Sequence, residues 1–268
     1  MSEANEPRAD WRETILDDVA TKWILGRSKP EKVTARILLV SLGISFNFRN
    51  HAVLKRRRGK FVMGRLGKIE VATVRVPPGT MQLESVLAVA ARTSIRYCLG
   101  IGAVGAADAD LEIGDTILPT EAFCGDGLTS YYPGDDVARP DADLLELARV
   151  EARRNALPVT EGGVYTTASL CMESDDLVER VRSQGYLGLD NQVAPFYRVA
   201  RHYGLSPLAL VTVSDSPPRR EIYFKDRHLM KRYIQSQNAA FSVIEAMARQ
   251  LDSPDRQRNR RRRARRRS

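Results

Sequence analysis

The sequence predicts one α/β domain, a central sheet with helices on both faces. Three observations carry this reading. Short β-branched apolar runs alternate with amphipathic stretches along most of the chain. No long linker interrupts them before the C-terminal tail, and no internal repeat is present. At 268 residues, 43% hydrophobic and 28% charged, the chain can bury a substantial core.

The elements follow in order. Residues 1–9 are polar and acidic and are expected to be disordered, with the folded domain spanning 10–251. Asp10-Trp11 opens an amphipathic helix in which Trp11, Ile15, Val19 and Trp23 or Ile24 recur at helical spacing. Ala35–Ser41 is a short buried strand by length and β-branching. KFVMGRLGKIEVATVRV alternates around the Gly64–Gly67 turn as a hairpin. Past Pro77-Pro78-Gly79, MQLESVLAVAARTSI is a helix, IRYCLGIG a strand and Ile113–Pro119 another strand. Pro140-Asp141 precedes a helix with an acidic first turn, ADLLELARVEARRNA. GGVYTTAS, YLGLD and PLALVTV supply later strands, separated by helices at DDLVERVRSQ and PFYRVARHYG. A long amphipathic helix, LMKRYIQSQNAAFSVIEAMARQL, closes the domain.

Composition excludes several classes. No apolar run approaches the ~18–20 residues of a membrane span, and the N-terminus lacks a basic segment followed by an apolar one. A soluble, cytoplasmic protein without a membrane partner is expected. Cys98, Cys124 and Cys171 are odd in number, far apart and flanked by core-like residues, which predicts buried reduced thiols. His51, His202 and His228 are scattered, so neither a metal nor another cofactor is expected.

The formal net charge is +9, but Asp252–Ser268 holds nine Arg and two Asp and carries +7 of it. The basic character is therefore read as a property of a disordered Arg-rich tail, not of a basic face on the fold. Such a tail attracts nucleic acid non-specifically and in a salt-dependent way, or is simply solvated with no selected partner.

Gly100, Gly102 and Gly105 satisfy the dinucleotide-binding fingerprint literally. The mechanism of that motif needs a helix starting at the third glycine, and here the glycines run into AADADLEIGD and another strand. The motif does not predict a nicotinamide or flavin site.

Two segments carry a more specific signal: Leu99–Tyr132 and Gly188–Pro217. Each joins a Gly-rich or polar turn to an apolar strand, and the second ends in Ser214-Asp215 where ALVTV stops. Together they resemble the nucleoside phosphorylase superfamily, which includes purine nucleoside and uridine phosphorylases and related nucleosidases, over roughly 36–251. The resemblance implies a three-layer fold with a mixed, partly barrel-like sheet. It also implies a homo-oligomer that cleaves an N-glycosidic bond, by phosphorolysis or hydrolysis, in a purine-like nucleoside or nucleotide. Inorganic phosphate is then a possible second ligand.

Breaking that bond leaves negative charge on the departing base and oxocarbenium character on the ribosyl group. Asp215 stands where purine enzymes of this superfamily place the acid that protonates the base; the alternative is that it caps the following turn. Arg219, Arg220 or Arg227 could orient it. Asp190, Asn191 and Gln192 match the acid-Met-Glu segment that grips the ribose, with Gln192 in place of the charged residue and Asp190 able to restore part of the charge. On that reading Gln192→Glu raises turnover. Gly102 and Ala103 are expected, with Ser214, along the ribosyl and phosphate site. The family's Arg-Ile-Gly-Thr reads Gly100-Ile101-Gly102-Ala103 here, so the guanidinium and hydroxyl clamp is missing. Arg49 or Arg58 are the remaining phosphate-binding candidates, and water becomes an alternative nucleophile. SLCMESDD lacks the Gln-x-Arg that reads uracil, which favours a purine walled by Phe123 and Tyr165. A non-catalytic nucleoside- or nucleotide-binding relative of the same fold is the second reading.

Overall fold

The computed structural model describes residues 10–43, 45–48 and 51–252. The segments 1–9 and 253–268, expected to be disordered, lie outside the described residues, as does Arg49; Asp252 still belongs to the last helix.

Strand β5 (Tyr97–Ala106) is the centre of a single mixed sheet. It pairs in parallel with β1 (Ile37–Leu42) on one side and β10 (Ser206–Ser216) on the other. Strand β10 continues antiparallel to β6 (Thr116–Gly125), β6 parallel to β8 (Thr160–Thr167), and β8 parallel to β9 (Gly188–Asp190). The short β9 returns antiparallel to the end of β5, so these five strands close into a barrel. Beyond β1 the sheet extends through β4 (Ile69–Val76), β3 (Phe61–Leu66) and the edge strand β2 (Val53–Arg58). Two short strands, β7 (Val137–Ala138) and β11 (Glu221–Ile222), pair with β6 and β10.

The all-apolar runs become strands covered on both faces. Along β1, Leu38 and Val40 point into one core with helices α3 (Met81–Ala91) and α6 (Val193–His202). Ile37 and Leu39 point into the other, beneath α4 (Ala142–Arg154) and α7 (Arg227–Asp252). Side chains that alternate across a strand thus build three layers. Helix α5 (Asp175–Ser183) covers a third, smaller cluster around Val178, Val181 and Leu189. Local chemistry sets the helix starts: the Asp141 carboxylate accepts from Leu144 N at 3.1 Å, and the Ser174 hydroxyl accepts from Leu177 N at 3.3 Å. The parallel strands β1, β5 and β10 end together at one rim, where open α/β sheets bind ligands.

Four expectations need correction. Strand β2 was not legible, because LKRRR is neither apolar nor alternating; an edge strand exposed along most of its length needs no such pattern. The N-terminal helix forms as α1 (Trp11–Thr14), a π-helical turn Ile15–Ala20 and α2 (Thr21–Leu25), yet it buries Ala20, Ile24 and Leu25, with Leu16 partly buried. Trp11, Ile15, Val19 and Trp23 face outward. Arg92 pins the helix by pairing with Glu13 and Asp17, and the wide turn shifts which residues share the docked face. Of the cysteines, only Cys98 is buried; Cys124 is half-buried and Cys171 exposed, on a loop before α5.

The fourth correction concerns charge. Residues 1–251 sum to only +2, but between Lys55 and Lys68 there are seven Lys or Arg and no Asp or Glu, leaving a remainder at −5. Those seven lie on and around one hairpin, β2–β3. The fold has a basic face after all.

Candidate active site

A cavity of about 470 Å³ opens at the rim where β1, β5 and β10 end. Asp215, Ser214, Gly102, Ala103, Asp190, Asn191 and Gln192 all line it, brought together from three separate segments of the chain.

Asp215 sits at the end of β10, where the register against β5 slips between Val213 and Asp215. The slip places its carboxyl opposite Gly105. A Cβ on Gly105 would lie 2.8 Å from Asp215 Oδ2, so only glycine leaves room for the acid there. The third glycine of the false dinucleotide motif thus has its own use. Gly102 lines the cavity floor as expected, whereas Gly100 is packed against Phe196, Leu42 and Ala209. The Ser214 hydroxyl donates to Asp215 Oδ1 at 2.7 Å. Burial raises the Asp215 pKa above the usual carboxylate range, and the Ser214 hydrogen bond offsets part of that. The turn after Asp215 is closed by backbone bonds, Arg219 N to Ser216 O and Arg220 N to Pro217 O. The arginines proposed to orient it are elsewhere: Arg219 pairs with Glu112, Arg220 with Asp175, and Arg227 is exposed.

The 190–192 segment is built differently from expectation. Asp190 is buried, and its two oxygens accept from Thr166 Oγ1, Gln192 N and Val193 N, each at 2.6 Å. It therefore anchors the start of α6. Burial still pushes its pKa up to about 6. Gln192 Oε1 accepts from Gly43 N at 2.6 Å, and its Nε2 donates to Pro77 O at 2.8 Å and Gly79 O at 2.6 Å. The amide is committed to backbone and ties the loops after β1 and β4 to α6; it is a strut at the cavity wall. Asn191 Nδ2 donates to Thr167 O at 3.1 Å.

Three expected residues are not at the cavity, and Arg49 is outside the described residues. Phe123 and Tyr165 stack on each other, with centroids 4.7 Å apart, and meet Tyr186 in a separate aromatic cluster. Arg58 lines a second cavity near the sheet edge. The cavity's aromatic wall comes instead from Tyr223 and Phe224, just after β11. Their signal in the sequence was an aromatic pair eight residues beyond the strand-end acid.

Glu173 was also missed. It lines the cavity from the loop before α5; its backbone N–H donates to Leu170 O, while its carboxyl forms no hydrogen bond or ion pair among the described residues. Burial, then the charges of Asp215 and Asp190, raise its pKa to about 7. Three carboxyl groups and no Lys, Arg or His line this cavity among the described residues.

The sequence model of the phosphorylase superfamily matches residues 37–249. The chain belongs to the phosphorylase superfamily. Among curated relatives of this superfamily, DeoD-type purine nucleoside phosphorylases are similar over part of their length. That of Aliivibrio salmonicida is 29% identical over 133 residues, covering 49% of this chain and 56% of the relative. That of Bacillus velezensis is 31% identical over 123 residues, covering 45% and 53%. The chain thus spans about half the length of the curated relatives it matches. The solved uridine phosphorylase of Vibrio fischeri ES114, complexed with 6-hydroxy-1-naphthoic acid, has the same fold. Its TM-score is 0.72 at 15% identity, over 81% of this chain and 93% of that one. The N-terminal helix and residues beyond 249 fall outside the superfamily match.

Proposed function

We propose that this phosphorylase-superfamily protein cleaves the N-glycosidic bond of an uncharged purine-like nucleoside, with Asp215 as the general acid. One observation carries the reading: a carboxyl with a raised pKa, fixed by Ser214 over Gly105, faces a cavity of about 470 Å³ at the strand rim. Raising the pKa of a carboxyl makes it easier to protonate, and the protonated form can give its proton to a ring nitrogen as the bond to the base lengthens. Tyr223 and Phe224, whose rings stand at 84° to each other, line the cavity with aromatic surface for a base. Glu173 and Asp190 supply the negative field that favours a ribosyl cation. Asn191 and Ser214 are the polar groups placed to meet ribose hydroxyls.

With acidic groups and no cation among the described lining residues, the cavity disfavours an inorganic phosphate or a 5′-nucleotide. Water as nucleophile, hence hydrolysis, follows from that charge balance. The test is incubation with a panel of nucleosides and 5′-nucleotides, with and without phosphate, followed by chromatography for free base. Free base from nucleosides without phosphate is expected, and Asp215→Asn should lower turnover by about 10²–10⁴-fold while retaining ligand-induced thermal stabilisation. Binding by the wild type without any release of base would instead favour the non-catalytic relative.

A further inference from the structure

We propose that the β2–β3 hairpin forms a second binding site, a groove for the phosphodiester backbone of a nucleic-acid strand, distinct from the nucleoside cavity and from the Arg-rich tail. A cavity of about 700 Å³ lies along this hairpin, and five cations, Lys32, Lys55, Arg56, Arg58 and Arg65, outnumber the two carboxylates, Glu31 and Glu70, in its lining.

The arrangement is cationic beyond what the fold requires. Ion pairs occupy arginines over much of the surface, such as Arg92, Arg149 and Arg232. Among the described residues none of the seven hairpin cations from Lys55 to Lys68 enters one. Glu70 instead accepts from Thr34 Oγ1 at 2.8 Å. Arg58 Nε is buried in the structure without a hydrogen-bond partner, although burying a guanidinium donor unpaired is costly.

The hairpin is also held in place. Gly59, at φ +63°, turns the chain so closely under the N-terminal helix that a Cβ there would lie 2.1 Å from Ile24 O. Lys60 N donates to that same oxygen at 2.7 Å, and the Lys60 ammonium lies over the Trp23 ring at 5.8 Å. Strand β2 is the last in the sheet, with no strand partner on its outer side among the described residues. A strand of six residues is about 17 Å long, enough to span several phosphates. A concave groove in which five cations outnumber two carboxylates suits a polymer backbone better than a flat membrane surface. Bases would be unread, so binding is sequence-tolerant.

The test uses the full chain with the nine arginines between positions 256 and 267 changed to Gln, which removes the tail's contribution. Binding of labelled 20-mer single-stranded RNA and DNA is measured across a salt series, with and without Lys55→Gln, Arg56→Gln and Arg65→Gln. These three side chains are exposed, and circular dichroism checks the fold of each variant. The tail-neutral protein should still bind. The triple variant should bind at least tenfold more weakly in low salt, with a log–log salt slope shallower by about 2, at about 0.7 per lost phosphate contact. Loss of all binding on tail neutralisation alone, or an unchanged slope in the triple variant, overturns the proposal. So does binding of phosphatidylserine vesicles or saturation by inorganic phosphate in the absence of oligonucleotide binding.

Discussion

Gln192→Glu separates a ribose ligand from a structural strut. Gln192 is 3% exposed, and its Nε2 serves two carbonyls, Pro77 O at 2.8 Å and Gly79 O at 2.6 Å. Glutamate keeps the acceptor for Gly43 N but places an oxygen against both carbonyls. Each lost bond that leaves a buried acceptor unsatisfied costs about 1–3 kcal/mol, so with two lost the variant should be about 2–6 kcal/mol less stable. For a domain of this size each kcal/mol moves Tm by about 2–4 °C, giving a fall of roughly 4–24 °C. An ionised glutamate suffers most, and a protonated one can return one O–H donor to a carbonyl. The deficit should therefore shrink as pH is lowered towards 4 and widen above neutrality. Differential scanning fluorimetry across pH, with turnover measured in parallel, reads both effects. An unchanged Tm together with raised turnover would refute the strut and restore the ribose-ligand reading.

Gly105→Ala should lower turnover by about 10²-fold with the fold retained, because a Cβ 2.8 Å from Asp215 Oδ2 displaces the acid by a fraction of an ångström or more; steady-state kinetics beside a thermal melt check it. Glu173→Gln should raise thermal stability at and above pH 7. The native pKa of about 7 exceeds the reference value of 4.5, so wild-type stability falls as pH rises through that window, and the amide removes this dependence. Melts of both proteins from pH 4 to 8 should coincide near pH 4, diverge between about 4.5 and 7, and stay apart above that. Turnover should fall as pH rises, because Asp215 must hold its proton and its pKa is already raised; a pH–rate profile for wild type that climbs steadily into the alkaline range would contradict an acid role.

Much of the fold was legible because burial writes itself into period and composition. The runs ILLV in β1 and PLALVTV in β10 can only be strands covered on both faces, and the long stripe of α7 can only lie on a core. The glycine fingerprint could be rejected from sequence because no helix followed it. The strand-end acid was equally visible, since an Asp after ALVTV must emerge at the sheet rim. What the linear pattern could not decide was the partner of each polar group. Gln192 reads as a sugar ligand until the loops after β1 and β4 are seen to consume its amide. Phe123 and Tyr165 read as a base wall until the barrel turns them towards Tyr186, leaving the cavity to Tyr223 and Phe224. Glu173 gains its significance from its burial and from two carboxylates that arrive on β9 and β10. The same holds for charge: a net sum of +2 hides the hairpin, because summation discards position. Local sequence determines periodicity, capping and burial because those act between near neighbours. Which donor meets which acceptor depends on groups tens to hundreds of residues apart, and only the closed sheet brings them within hydrogen-bond range.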